Sequence, residues 1–287
     1  MGAMQPVALP GGGAVPALGL GTWRMGESAR AQRAEVAAVR RAVEIGYRLF
    51  DSAEMYGEGG AESVLGLALH EALRAGDVKR EALYIVSKVY PHNASRQGVV
   101  EACERSLARL GFESIDLYLL HWRGSHALAQ TVAGFEQLHA AGRIGRWGVS
   151  NFDTTDMAEL RAAKGGAACA ANQVYYSLAQ RGIEFDLLPW QREHRVPTMA
   201  YCPIDQGTLA RSAALQPLGE RLGATPAQVA LAWLLSRGDV IAIPKAVQEL
   251  HLRENFGATA IELDSAALAE LDALFAPPRR KKPLAMS

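Results

Sequence analysis

The chain has 287 residues, 30 basic against 30 acidic, and 49% of them are apolar. This length suffices to bury a proper core, and the balanced charge leaves no basic excess to neutralise phosphates, so no nucleic-acid partner is expected. Cys103, Cys169 and Cys202 stand far apart with no CxxC spacing, and no apolar run reaches the length of a membrane helix, which together suit a metal-free protein of the reducing cytoplasm with no membrane partner.

Met1-Gly2-Ala3-Met4 has neither a basic region nor an apolar core, so it does not read as a secretion signal, and Met4 offers an alternative start. Residues 5–17 hold two short apolar pieces around Gly11-Gly12-Gly13, the pattern of a β-hairpin. Short apolar runs then recur at 17–20, 48–50, 83–87, 115–120, 146–149, 171–174, 198–201 and 240–243, each reading as a buried parallel strand. Helical periodicity separates them. Residues 34–45 carry apolar side chains at i, i+3, i+4 and i+7, and 96–110 and 225–235 behave alike, the last opened by Thr225-Pro226, an N-cap residue before proline at the first helical position. Eight strands alternating with helices predict an α/β fold, a single (β/α)8 TIM barrel over 1–287 with the hairpin across its bottom. The short tail 276–287 carries Arg279-Arg280-Lys281-Lys282, a solvated basic run or a contact for a small anion.

Barrel chemistry gathers where strands end at their C-terminal side. There the stretch "LFDSAEMYG" supplies Asp51 and Tyr56, "LYIVSKV" supplies Lys88 and "IDLYLLHW" supplies His121. Singly these read as a helix cap, a packing ring, a strand end and a core histidine. Together they can move a proton to a carbonyl oxygen. A phenol with an ordinary pKa near 10 is a weak acid at neutral pH, an adjacent ammonium is expected to lower it, a carboxylate to hold that ammonium, and a neutral imidazole to orient the carbonyl.

The segments "GLGTW", "DSAEMYG", "SKV", "LLHW", "GRIGRWGVSNF", "NQVYYS", "MAYCPIDQGTL" and "IPKAVQELHLREN" resemble, in order and spacing, the aldo-keto reductase family. The resemblance spans nearly the whole chain and is strongest to members that reduce small dicarbonyls such as methylglyoxal, or keto sugars of the 2,5-diketogluconate kind. It implies an enzyme that reduces aldehydes and ketones to alcohols by hydride transfer, with Tyr56 as proton donor and Lys88, His121 and Asp51 completing a catalytic tetrad. It implies NADPH, or NADH, as cofactor. Ser150, Asn151 and Gln173 match residues that bind the nicotinamide carboxamide, and Tyr201 matches the ring on which the nicotinamide stacks. Thr22, Trp23, Cys202, Pro203 and Ile204 fall among the cofactor-contacting segments, and Glu254 and Asn255 match positions that meet adenine.

No GxGxxG motif occurs, so a Rossmann mode of dinucleotide binding is not expected. Lys245, after the last strand, matches the lysine that grips a 2′-phosphate in the family. The chain departs from the pattern next to it, with Ala246 in place of a hydroxyl residue and His251 in place of an arginine; Arg253 would face another side of the helix. Trp23, Met55, Tyr90 and Trp122 are expected to form an apolar substrate wall. Arg123 would bind a substrate anion or make a surface ion pair. The short tail suggests an open pocket, and family habit a monomer. Two other readings are a nicotinamide-binding redox-sensing subunit and a Schiff-base aldolase using Lys88.

Overall fold

The computed structural model describes residues 6–286. Residues 1–4 and Gln5, the first position of the expected hairpin, lie outside the described residues. Strands β1 (Val7–Ala8) and β2 (Ala14–Val15) pair antiparallel, Val7 opposite Val15. The Arg146 guanidinium donates to Pro10 O at 2.6 Å and to Gly12 O, tying the hairpin's turn to the barrel.

Eight parallel strands follow: β3 (Leu20–Gly21), β4 (Leu49–Asp51), β5 (Tyr84–Val89), β6 (Ile115–Leu120), β7 (Ile144–Ser150), β8 (Asn172–Tyr175), β9 (Thr198–Tyr201) and β10 (Val240–Ala242). They pair in sequence order, and the sheet closes on itself. Leu18 bridges to Ala242, Gly19 N donates to Ala242 O at 2.9 Å, and Gly21 N donates to Pro244 O at 3.0 Å. This is the expected (β/α)8 barrel.

Several strands run further toward the barrel mouth than expected. Asp51, Lys88 and Ser150 are paired strand residues rather than loop residues. The reason is that their side chains find partners inside the barrel, so polarity does not force the strand to stop.

Strand alternation explains how they come together. Val7, Leu9 and Val15 of the hairpin pack with Leu49, Val86, Leu117, Leu119, Ala171, Met199 and Ile241 in the barrel interior. Two residues beyond these, on the same face of their own strands, stand Asp51, Lys88, His121, Gln173, Tyr201 and Ile243. The apolar layer is the floor and the polar layer above it is the candidate site.

The outer apolar faces pack against helices, of which α1 (Ala29–Ile45), α2 (Gly60–Ala75) and α3 (Arg96–Leu110) frame the strands that carry Asp51 and Lys88. The helix Pro226–Leu235 begins with the expected Thr225 cap, reciprocated by Gln228.

Helices α2 and α3 approach closely at Gly66, where a Cβ would lie 2.4 Å from the Leu110 carbonyl oxygen. Alanine gains about 1 kcal/mol of helix propensity over glycine, but overpacking against fixed backbone costs about 1–3 kcal/mol. Gly66→Ala is therefore expected to be net destabilising, lowering Tm in a thermal melt by a few degrees. An unchanged or higher Tm would mean that the two helices are free to separate.

Candidate active site

Lys88 is the centre of the site. Its side chain is fully buried, and its ammonium donates three hydrogen bonds: to Asp51 Oδ2 at 2.7 Å, to the Ser52 carbonyl at 2.8 Å and to Tyr56 Oη at 3.2 Å. Three donors meet three acceptors, so the group is saturated. The other Asp51 oxygen accepts from Gln173 Nε2 at 2.8 Å. Burial pushes the Lys88 ammonium below the usual lysine range, while the charge and hydrogen bond of Asp51 oppose that shift.

Tyr56 lies in the loop between β4 and α2, its ring 4.7 Å from Lys88 Nζ and edge-on to the His121 ring at 5.7 Å between centroids. Desolvation by burial, then the negative charge of Asp51, raise the phenol well above its ordinary value. This corrects the expectation that the ammonium lowers it. Desolvation penalises the phenolate more than one hydrogen bond from Lys88 relieves it, so the resting phenol keeps its proton.

His121 behaves as expected. Its backbone N–H donates to Val89 O at 3.0 Å, burial and the nearby Lys88 charge hold its imidazole well below the usual histidine range, and Nδ1 has no hydrogen-bond partner among the described residues. It is a neutral ring at the edge of a cavity.

That cavity, of about 520 Å³, is lined by Asp51, Tyr56 and His121 together with Ser150, Asn151, Gln173, Tyr201, Cys202, Pro203, Ile204 and Lys245. Trp23, Met55 and Trp122 also line it, so three of the four expected wall residues meet there. The polar groups are already linked. Asn151, held at φ +58°, donates from Nδ2 to the His121 carbonyl and to Ser150 Oγ, both at 3.1 Å, and accepts from Tyr201 Oη at 2.9 Å.

Other expected residues stand elsewhere. Thr22 is fully buried behind the wall, donating to Asp51 O at 3.0 Å and lying 3.0 Å from Ser52 Oγ, so it holds the Asp51 loop rather than facing the cavity. Ala246 and Asn255 are buried, and Glu254 pairs with the exposed His251 at 3.1 Å; none of these lines the cavity. Arg253 pairs with Glu249 on its own helix at 2.7 Å. Tyr90 packs edge-on against Trp122 at 6.1 Å, one layer behind the wall. Arg123 makes the surface ion pair, both its terminal nitrogens 2.8 Å from Glu159.

Sequence reasoning missed Arg24, Gln206, Gly207 and Met286, which also line the cavity. Gln206 and Gly207 sit in "CPIDQG", where Cys202, Asp205 and Gln206 all have left-handed backbone and Tyr175 Oη bonds Asp205 at 2.5 Å. The tail, short as it is, reaches the cavity. Lys281 pairs with Asp186 at 3.1 Å, Leu284 packs onto the core, and the tail brings Met286 to the rim. No sequence signal marks that return.

A buried carboxylate–ammonium–phenol chain beside a neutral imidazole, in a barrel mouth walled by aromatics, defines carbonyl-reducing chemistry. The chain belongs to the aldo/keto reductase family, whose model matches residues 17–276. It is 47% identical over 277 residues to the methylglyoxal reductase YeaE of Escherichia coli K12, covering 95% of each chain. It is 31% identical to a glyoxal reductase of Bacillus subtilis, covering 93% of this chain and 92% of the relative. Among solved structures, an aldo-keto reductase from Klebsiella pneumoniae in complex with NADPH superposes with a TM-score of 0.93 at 45% identity, covering all of both chains.

The buried neutral state of His121 has a measurable consequence. Its folded pKa lies below the unfolded value of about 6.5, so below that pH the unfolded chain binds the extra proton and stability falls as pH falls. The contribution approaches about 1.4 kcal/mol per pH unit. In denaturant titrations between pH 6.5 and 5, His121→Gln is expected to lose stability less steeply than the wild type; parallel slopes would mean that the ring protonates freely in the folded state.

Proposed function

We propose that the protein reduces small aldehydes and dicarbonyls, methylglyoxal among them, and keto sugars to alcohols with NADPH, Tyr56 giving the proton. The reading rests on one geometry: a protonated phenol 3.2 Å from a saturated, buried ammonium, on the wall of a cavity it shares with a neutral imidazole.

The donor set suits a dinucleotide. Bound NADPH supplies the hydride. Ser150, Asn151 and Gln173 offer hydroxyl and amide groups to a carboxamide, Tyr201 a ring face, and Cys202, Pro203 and Ile204 a wall. Lys245 is exposed, lines the cavity and forms no ion pair among the described residues, so its cation is available for the 2′-phosphate. His251 adds no cation to the cavity, so the cations that can favour NADPH over NADH there are Lys245 and Arg24.

The chain's own residues account for the proton. His121 Nε2 donates to the carbonyl oxygen and fixes its position. The Tyr56 proton passes to that oxygen as the carbonyl carbon is reduced, and the phenolate left behind is stabilised by the Lys88 ammonium, which needs no reorganisation because Asp51 already holds it. The resting phenol keeps its proton, and its acidity in the reaction comes from the Lys88 ammonium that stabilises the phenolate. All four groups come from one chain, so a monomer suffices, and Cys103 and Cys169, buried thiols outside any disulfide, suit a reducing cytoplasm. Lys88 is a poor candidate for Schiff-base chemistry, being wholly buried, saturated and absent from the cavity wall.

The test follows loss of reduced-nicotinamide absorbance with methylglyoxal, using NADPH and NADH in parallel. Wild type is expected to turn over faster with NADPH, and Tyr56→Phe to lose about 10²-fold or more in kcat. A wild type that binds NADPH yet reduces no aldehyde in a broad panel would replace this reading with that of a redox-sensing subunit.

A further inference from the structure

A second buried carboxylate lies outside the cavity. Glu62, in the first turn of α2, is fully buried, yet it lines no pocket and touches none of the four central groups. Its Oε1 accepts from Ser87 Oγ at 2.5 Å, and its Oε2 from Arg109 Nε of α3 at 2.6 Å. Arg109 also donates to the buried Ser106 hydroxyl at 3.2 Å. Room for the guanidinium comes from Gly59, where a Cβ would lie 2.4 Å from Arg109 Nε. Burying a carboxylate is costly unless it is paired and hydrogen-bonded, and here both contacts of Glu62 join α2 to another element, β5 and α3.

The two ends of this brace matter for the site. Ser87 precedes Lys88 on β5, and alternation places the two side chains on opposite faces of the same strand. Fixing the Ser87 hydroxyl on the outside fixes the rotation of β5 that aims Lys88 inward. At the other end, Glu62 is six residues after Tyr56. Between them Gly57, Glu58 and Gly59 all have left-handed backbone, at φ +57°, +51° and +87°. Glu58 is not a glycine, so this connector is strained and must be held by its surroundings. Glu62 anchors its far end.

We propose that Glu62 is a positioning residue for the reaction, tying the start of α2 to Ser87 and so setting the approach of the Tyr56 phenol to the Lys88 ammonium. The inference rests on the proton-donor role given to Tyr56 above. The Glu62 charge also favours the Lys88 ammonium, after the larger effect of Asp51. Small misplacements of reacting groups cost up to about 10²-fold in rate, so a brace of this kind acts on kcat rather than on cofactor affinity.

The experiment compares Ser87→Ala, Glu62→Gln and Glu62→Ala with the wild type. The readouts are kcat and KM for methylglyoxal at 25 °C, NADPH affinity by quenching of protein fluorescence, and Tm. Ser87→Ala, which removes one hydrogen bond and leaves the carboxylate paired with Arg109, is expected to fold and to lose roughly tenfold in kcat, with NADPH affinity changed less than about twofold. Glu62→Ala should lose more, and Glu62→Gln, which keeps a hydrogen-bonding group toward Ser87, should recover part of the loss. If Glu62→Ala does not fold, Ser87→Ala decides alone. Variants with lowered Tm but wild-type kcat would overturn the proposal and leave Glu62 a stabilising residue only. A wild type without carbonyl reduction would overturn the functional reading itself, whereas an active wild type, a dead Tyr56→Phe and an unimpaired Ser87→Ala would overturn the brace alone.

Discussion

A lysine ammonium sealed inside a barrel is the constraint around which the rest of this structure is arranged. Withdrawing such a charge from water costs several kcal/mol even after relaxation, and the cost is offset only if its charge and all three of its N–H groups are matched. Asp51, the Ser52 carbonyl and Tyr56 do this. Each partner depends in turn on a further group: Asp51 on Gln173, and the Asp51–Ser52 backbone on Thr22. Tyr56 sits where a strained connector leaves it. Strand β4 therefore carries Asp51 inward to meet Lys88, and the loop beyond it brings the phenol within reach.

The same constraint divides the polar groups of the site by purpose. Most hydroxyls and amides in the cavity wall are already bonded to one another, Tyr201 to Asn151, Asn151 to Ser150 and to the His121 carbonyl. Such a network fixes ring and amide orientations before any ligand arrives, so little reorganisation is left for the reaction itself. Among the groups without a hydrogen-bond or ion-pair partner within the described residues, two are chemically telling: the buried Nδ1 of the neutral His121 ring and the exposed Lys245 cation.

Much of this was legible in the sequence because barrels enforce period-two alternation. Leu49 before Asp51, Val86 before Lys88 and Leu119 before His121 carry the interior face forward, so a polar residue two steps beyond a core residue had to land at the mouth. Gln173 and Tyr201 came instead from the family resemblance, although the same alternation, two steps beyond Ala171 and Met199, explains where they land. It failed where position depends on the neighbour's geometry rather than on the residue's own strand. The sequence left Arg123 open between a pocket cation and a surface ion pair, and Glu159 across the surface decides for the ion pair. Thr22 reads as a cofactor contact, yet its hydroxyl is used inside the loop scaffold. The direction of the Tyr56 shift balances desolvation against charge, which no motif encodes. The return of Met286 to the rim depends on an ion pair between Lys281 and Asp186, 95 residues apart in the chain.

The account stands or falls on the Lys88 charge, and replacing it is the most direct measurement. Lys88→Met keeps an unbranched side chain one atom shorter and removes the ammonium, leaving the Asp51 carboxylate with Gln173 alone. Methylglyoxal reduction and NADPH affinity are measured on the folded variant. The prediction is that NADPH affinity stays within about fivefold of wild type while kcat falls by about 10³-fold or more, because the phenolate left by proton transfer then forms without a cation beside it. A Lys88→Met protein that keeps kcat within about tenfold of wild type would contradict the central claim, since one tenfold step is worth only about 1.4 kcal/mol of barrier.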